Sequence, residues 1–259
     1  MKSLRILIVI AFLFSSSTLG AAELKLGGTE WSPYIGFELK NHGIAAQIVS
    51  RIFKRAGHKV EFKFYPWART QHLVKIGELD GLAIAWYTEE RAKTMVYSKP
   101  YVNTAIVLIK HKDDPFVYNK IEDLEGKNIG VILGYGYLKK IKSDKIQKTF
   151  VKSLEQNLLK LVNKRIDLTM EEKLNAQRII ASLPQKTQDS LFIIKNPFEE
   201  KELHITLSKR IQNHKELLND FNAALASMIK DGSYQHMINS MTYKPLSIHK
   251  YRIQELKNL

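Results

Sequence analysis

The alternation of apolar and polar positions divides the chain into short strands separated by helices. Leu24-Lys25-Leu26-Gly27 alternates as a short strand, and Trp31-Ser32-Pro33-Tyr34 follows as a loop. From Ile44 the apolar positions Ile44, Ile48, Ile52 and Phe53 recur at helical spacing. Arg51, Lys54 and Arg55 fall on the other side, and Gly57 is placed to cap the end. Lys59-Val60-Glu61-Phe62-Lys63-Phe64 has a period of two, which predicts a strand with one polar face. A helix is predicted over Trp67 to Glu78, a buried strand over Asp80 to Trp86, and a further strand over Val102 to Ile109.

The scheme then repeats. Asp123-Leu124-Glu125-Gly126-Lys127 turns into the strand Ile129–Leu133, and Gly134-Tyr135-Gly136-Tyr137 leads into a helix expected through Ile146. Thr149-Phe150-Val151 is a short strand, and Ser153 with Gln156 makes a capping box for a helix to Asn163. Ile166 to Met170 reads as a strand and Glu172 to Leu183 as a helix. A strand at Leu203–Leu207, an amphipathic helix from Glu216 to Lys230 and a Gly232-Ser233 break before a last helix complete the pattern. Strands alternating with helices specify an α/β fold with mostly parallel sheets. Two such units, near 24–108 and 112–197, predict two lobes, one of them completed by the C-terminal strand and helices.

The N-terminus has a different character. Lys2 and Arg5 precede the apolar run Ile6–Phe14, and a short polar stretch ends at Gly20-Ala21-Ala22. This is the layout of a secretory signal peptide cut after Ala22. The run is too short to span a bilayer, which takes about 20 apolar residues, so the mature chain is expected to be periplasmic and not inserted in the membrane. The formal charge of +14 becomes +12 without Lys2 and Arg5, and no Cys is present. Lacking Cys, the chain has no disulfide framework, thiol nucleophile or Cys-based zinc site. Its basic residues are spread along both predicted lobes, which, with export, argues against a nucleic-acid partner. His204 and His214 lack metal spacing, and no Gly-x-Ser-x-Gly elbow occurs. No metal or other cofactor is expected.

Six motifs, in order, resemble one family. They are Trp31-Ser32-Pro33-Tyr34, Gly77-Glu78-Leu79-Asp80-Gly81, and Thr88-Glu89-Glu90-Arg91 continued by Val96-Tyr97-Ser98-Lys99-Pro100-Tyr101. The rest are Asp123–Lys127, Lys164-Arg165-Ile166-Asp167 (Lys standing where the family has Gly) and Asp231-Gly232-Ser233-Tyr234. Together they resemble the bacterial extracellular solute-binding proteins of family 3, periplasmic receptors of polar amino-acid ABC transporters. The resemblance implies a two-lobed periplasmic-binding-protein fold of type II, each lobe a mostly parallel sheet flanked by helices and joined by a two-segment hinge. Residues 23–109 would form the first part of lobe 1, 110–198 lobe 2, and 199–259 the return to lobe 1 with the C-terminal helices. It further implies a monomer whose partners are a small-molecule ligand and an inner-membrane ABC permease.

The same resemblance implies the site. Arg91, behind the helix N-cap Thr88, matches the Arg that grips a ligand carboxylate with its two-pronged donor. Trp31 matches the ligand-stacking position, with Tyr34 in the same loop. Trp67 falls where the family has an apolar ligand-facing residue, with Arg69 two residues on. Ala85 and Trp86 fall in the segment where amino-acid binders carry small hydroxyl residues. A Trp serves as core more often than as ligand wall. The joint placement of all three Trp near the cleft favours the second reading for Trp31 and Trp67 and leaves Trp86 between the two. Tyr135, Gly136 and Tyr137 fall in the second lobe's ligand loop, where the glycines either free backbone N–H groups for an anion or only make a tight turn. Tyr135 stands where amino-acid receptors carry a hydroxyl residue, so the pocket is expected to differ from theirs and to suit a flat or cationic ligand with an anionic group. Glu171 and Glu172 match the carboxylate that receives a ligand ammonium, with Glu172 at the better offset. Paired acids at a helix start also satisfy the helix dipole without any ligand, and the two readings stand side by side. An enzyme of the cyclohexadienyl dehydratase type, with one of these glutamates as general acid, and a ligand sensor without a transporter are the other functions compatible with the scaffold.

Overall fold

The computed structural model describes residues 21–136 and 140–241. All but the end of the leader, the candidate Tyr137, and residues beyond 241 therefore lie outside the described residues. Strand β1 (Glu23–Gly28) leads to α1 (Ile44–Arg55), β2 (Lys59–Phe64), α2 (Trp67–Ile76), β3 (Gly81–Trp86), the single turn α3 (Glu89–Ala92), β4 (Met95–Tyr97) and the long β5 (Val102–His111). Strands β6 (Asn128–Ile132) and β7 (Gln147–Val151), α4 (Leu154–Val162), β8 (Leu168–Glu172), α5 (Lys173–Ser182), α6 (Gln185–Gln188) and β9 (Leu191–Ile193) follow. A second long strand, β10 (Glu199–Ser208), precedes α7 (His214–Lys230) and α8 (Ser233–Asn239).

The strands join in the order β2-β1-β3-β10-β5-β8-β6-β7, with β4 also on β10 and β9 also on β5. Pairing is parallel on both flanks, where β1 joins β2 and β3, and β6 joins β7 and β8. At the centre it is antiparallel, because β5 and β10 run side by side from Glu199 opposite Ile106 to Leu203 opposite Val102. Each of these two strands continues into a different half: β10 goes on to pair β3, while β5 goes on to pair β8. A two-lobed α/β architecture with parallel flanks results, as the alternation of strands and helices predicts.

Helix α1 buries the face containing Ile48, Val49, Ile52 and Phe53, and Phe53 meets Phe221 of α7 at 5.0 Å between ring centroids. Gly57, at φ +86°, accepts the left-handed turn that ends α1. Under α2, Leu73 and Val74 pack with Leu79, Leu82 and Ala85. A separate cluster on the other flank joins Val107, Ile109, Ile132, Leu154, Leu158 and Leu161. Each flank therefore has an apolar core of its own besides the large cluster through the sheet.

Several expectations need correction. The helix predicted after Tyr137 is absent from residues 140–146, which form turns. Of this stretch only Ile141 and Ile146 are buried, a spacing of five that lays no stripe on a helix. Gln156 does turn back over the start of α4, but its oxygen accepts from the Lys152 N–H at 3.0 Å, and the Ser153 side chain makes no cap. Strand β8 begins two residues later than predicted because Asp167 is used in the turn before it, accepting the Asn128 N–H at 2.7 Å. That shift carries Glu171 and Glu172 into the strand. Strands β4 and β9, at three residues each, are too short for periodicity to reveal.

Gly81 shows how close the sheet is packed. The register of β10 against β3 slips between His204 and Thr206, and a Cβ at Gly81 would overlap the Thr206 carbonyl oxygen. Backbone cannot yield as a side chain can, so Gly81→Ala should destabilise the fold by at least about 1–3 kcal/mol. A thermal unfolding midpoint several degrees below that of the wild type is the expected result; an unchanged midpoint would show that β10 relaxes.

Candidate ligand cleft between the two halves of the sheet

The loop after β1 is closed by a reciprocal pair of backbone bonds, Trp31 N–H to Ile35 O at 2.8 Å and Ile35 N–H to Trp31 O at 3.0 Å. This closure stacks the Trp31 and Tyr34 rings 4.9 Å apart and aims both across the cleft. Trp31 Nε1 donates to Glu171 Oε1 at 3.1 Å, and the Tyr34 hydroxyl donates to Glu172 Oε1 at 3.1 Å. The two glutamates are adjacent and both 0% exposed. Strand alternation would send them to opposite faces, but Glu172 ends β8 and serves as N-cap of α5, accepting the Asn175 N–H at 3.0 Å. Glu171 Oε1 also accepts the Glu172 N–H at 2.8 Å, while Glu171 Oε2 has no hydrogen-bond partner.

Arg91 is anchored where the Thr-x-x-Arg spacing places it. The Thr88 hydroxyl accepts the Arg91 N–H at 3.2 Å. The side chain is only 7% exposed; Nε donates to Gln71 Oε1, Nη1 to Trp86 O and Nη2 to Gly134 O, each at 2.7 Å, which uses three of the five guanidinium N–H groups. Its guanidinium also sits 5.0 Å from the Trp67 ring centroid. Burial lowers its pKa, against the opposing effect of Tyr97. Trp67 Nε1 donates to the same Gly134 carbonyl at 3.1 Å. The glycine loop thus presents the Gly134 carbonyl oxygen to both side chains. Gly136 O likewise accepts from Lys201 Nζ at 3.3 Å.

Trp86 lies beneath this loop, edge-on to Trp31 at 5.4 Å and to Tyr135 at 5.6 Å, with its Nε1 donating to Thr104 Oγ1 at 3.0 Å. These aromatic rings leave a cavity of about 40 Å³ beside Arg91, bordered also by Ala85 and Leu203. A larger compartment of about 820 Å³ continues from it past Trp67 and Tyr135 to Tyr65, Arg69 and Glu171. Arg69 is exposed, its guanidinium 5.1 Å from the Tyr65 ring centroid. Glu171 lines this compartment; Glu172 does not, despite its better sequence offset, because capping α5 turns it inward. Two residues were not foreseen from the sequence. Gln71 lies one turn after Trp67 on the same face of α2, a spacing that would have found it. Lys201 comes from β10, and nothing local marks it. Among the described residues no group of three or more His, Cys, Asp or Glu is placed to hold a metal ion.

Burial pushes the Glu171 carboxyl up to about 7, with Glu172 adding to the rise and the Glu172 N–H, Trp31 and Asn175 opposing it. Burial raises Glu172 to about 7 as well, against the Asn175 N–H and Tyr34. A carboxyl whose pKa is raised by folding stabilises the fold below its ordinary value near 4.5, and that contribution is lost as pH rises through about 7. A tenfold difference in proton affinity between the folded and unfolded states is worth about 1.4 kcal/mol. The thermal midpoint of the protein is therefore expected to fall between about pH 5 and pH 8, and Glu171→Gln, neutral throughout, should lose much of that slope. Equal slopes in the two proteins would place the pH dependence elsewhere.

Residues 28–242 match the model of the bacterial extracellular solute-binding proteins, family 3. The "Probable amino-acid-binding protein YxeM" of Bacillus subtilis (strain 168) is 23% identical over 92% of this chain and 94% of its own length. The "L-cystine-binding protein TcyJ" of Escherichia coli (strain K12) is 28% identical over 57% of this chain, which spans only 54% of that relative. Among solved structures, an ancestral arginine-binding protein bound to arginine has a TM-score of 0.69 at 26% identity, over 85% of this chain and 98% of the other. A histidine kinase sensor domain similar to periplasmic binding proteins has a TM-score of 0.71 at 20% identity, over 86% of this chain and 96% of the other, a likeness of fold alone. With the family model covering most of the described residues, the chain belongs to the bacterial extracellular solute-binding proteins, family 3.

Proposed function

We propose that this chain is a periplasmic receptor that closes two lobes on a small ligand of amino-acid size and delivers it to an ABC-type transporter in the inner membrane. The observation that carries this reading is the set of contacts spanning the cleft: Trp31 to Glu171, Tyr34 to Glu172 and Arg91 to Gly134 O. Each joins a side chain from the β1–β3 flank to the β6–β8 flank, so together they describe a closed state. Of the described residues, 23–109 and 199–241 form lobe 1 and 110–136 with 140–198 form lobe 2. β5 and β10 are the two crossings; rotation about so few residues opens the cleft without disturbing either flank's core. A ligand shifts the balance towards closure by as much as it binds the closed form more tightly.

Export through a signal peptide cut after Ala22 fits the fold, since β1 begins at Glu23. Among the described residues no helix is long and apolar enough to cross a membrane. The amino-acid and cystine receptors among its relatives support a ligand of that size and an ABC partner. The receptor works as a monomer, and its cleft residues are Trp31, Tyr34, Trp67, Arg69, Ala85, Trp86, Arg91, Tyr135, Gly136 and Glu171, with Glu172 turned to cap α5 and Tyr137 outside the described residues. A carboxyl that keeps a proton near neutral pH, as Glu171 does, also meets one requirement of a dehydratase general acid. Incubation with prephenate or arogenate should give no ultraviolet signal of an aromatic product; such a signal would replace the receptor reading with an enzymatic one.

Mass spectrometry of small molecules co-purified from the native periplasm should name the ligand. Titrated by calorimetry into Arg91→Ala, that molecule should bind at least tenfold more weakly than to the wild type, a loss of about 1.4 kcal/mol. An unchanged dissociation constant with native circular dichroism would remove Arg91 from the site.

A further inference from the structure

We propose that the protein carries a second binding site, for a small multivalent anion, in a cavity that both lobes build beside the Tyr34–Glu172 contact, and that an anion held there favours closure. The proposal rests on the reading that the two lobes close on a ligand. The cavity itself is separate: it shares no lining residue with either compartment of the cleft.

Its volume is about 400 Å³, within the usual range of small-ligand sites, about 300–1,000 Å³. Lobe 1 supplies Lys40 from the turn before α1 and Arg51 from α1, and lobe 2 supplies Arg178 from α5. Among the described residues that line the cavity these three carry the charge, and no carboxylate accompanies them. Like charges around one space repel each other until an anion enters. Two of the three are guanidiniums, whose planar donor forks match phosphate and carboxylate oxygens. Asn41, Gln47 and Ser240 add neutral hydrogen-bonding groups to the lining. Gly43 and Ile44 bring the N-terminus of α1, the positive end of its dipole, to the same wall. Met241 borders the cavity, and the sequence beyond it carries Lys244, Lys250, Arg252 and Lys257 against the single acidic side chain Glu255. The remainder of the chain therefore brings no excess of negative side chains, and the neutralising charge falls to a ligand.

The same residues connect this cavity to the cleft. Asn41 and His42 have φ of 51° and 59°, in the left-handed region that favours glycine, and Gly43 follows at 95°. This run turns the chain back on the Trp31–Ile35 loop, where a Cβ at Gly43 would overlap the Tyr34 carbonyl oxygen. The Ile44 N–H donates to Pro33 O at 3.1 Å and the Ala45 N–H to Tyr34 O at 2.7 Å. The Tyr34 hydroxyl in turn meets Glu172, the N-cap of the helix that carries Arg178. When the lobes part, Arg178 leaves with lobe 2 and the three cations are divided. An anion bonded to cations of both lobes thus binds the closed form more tightly and shifts the balance towards it. By reciprocity it raises the affinity of the cleft for its own ligand.

Pyrophosphate and citrate serve as probes, the first for phosphate esters and the second for polycarboxylates. Each is titrated by calorimetry into the purified mature chain, with sodium chloride keeping the ionic strength equal. At least one should bind saturably, and Arg51→Gln and Arg178→Gln, both at exposed positions, should each weaken it at least tenfold with native circular dichroism. Lys54→Gln removes an exposed cation of α1 that does not line the cavity, and it should leave the affinity unchanged. Because the chain has no Cys, labels on Lys75→Cys and Leu159→Cys, exposed positions on α2 and α4 of opposite lobes, read the distance between lobes. The anion should shorten that distance, and should not do so with Arg178→Gln. Saturable binding of neither probe, an equal loss with Lys54→Gln, or indifference to Arg51→Gln or Arg178→Gln would overturn the site. Binding with an unchanged label distance would overturn its action on closure. The receptor reading is judged apart from these outcomes: it stands if the molecule co-purified from the periplasm shortens the label distance, and fails together with the proposal if nothing does.

Discussion

The closed arrangement depends on two adjacent carboxyl groups buried without a cation. Glu171 and Glu172 lie at the end of β8, out of water, and each is reached from across the cleft by an aromatic donor. Burying one such group costs several kcal/mol unless it is neutralised or well bonded. The structure meets that cost in two ways: a proton is held near neutral pH, and backbone N–H groups at the start of α5 close on Glu172. The loop after β1 and the end of β8 are thereby drawn together, and the cleft between them takes its width from the lengths of Trp31 and Tyr34.

A second constraint complements the first. β5 and β10 place the two flanks in one continuous sheet, while each flank keeps its own apolar cluster. The groups that meet across the cleft are therefore carried on stiff elements. Arg91 follows a capped turn, Gln71 and Trp67 share one face of α2, and Gly134 O receives both Arg91 and Trp67. Rigid carriers hold the tips of these side chains in place across the cleft.

Much of this was legible in the chain. The period-two stretch Lys59–Phe64 is a strand over the same residues, and α1 ends at the glycine that its pattern places there. Thr88, three residues before Arg91, forecast the cap. Other features were not legible, for identifiable reasons. Residues 140–146 carry a helix-like run of lysines, but only two apolar residues there find a core. The Gly134–Gly136 loop reads equally as donor or acceptor, since every glycine has both an N–H and a carbonyl. Glu172 has the better offset for a cleft residue, but the cap of α5 turns it inward and Glu171 borders the compartment.

By itself the sequence determined the α/β architecture of the chain and its family, because these rest on periodicity, order of motifs and local capping that act within a few residues. Only the tertiary structure decided what the cleft is made of. Which of two glutamates keeps a free oxygen and which backbone carbonyls Arg91 meets depend on residues far apart in the chain, such as Trp31 and Glu171 or Arg91 and Gly134. No spacing along the chain records those pairings.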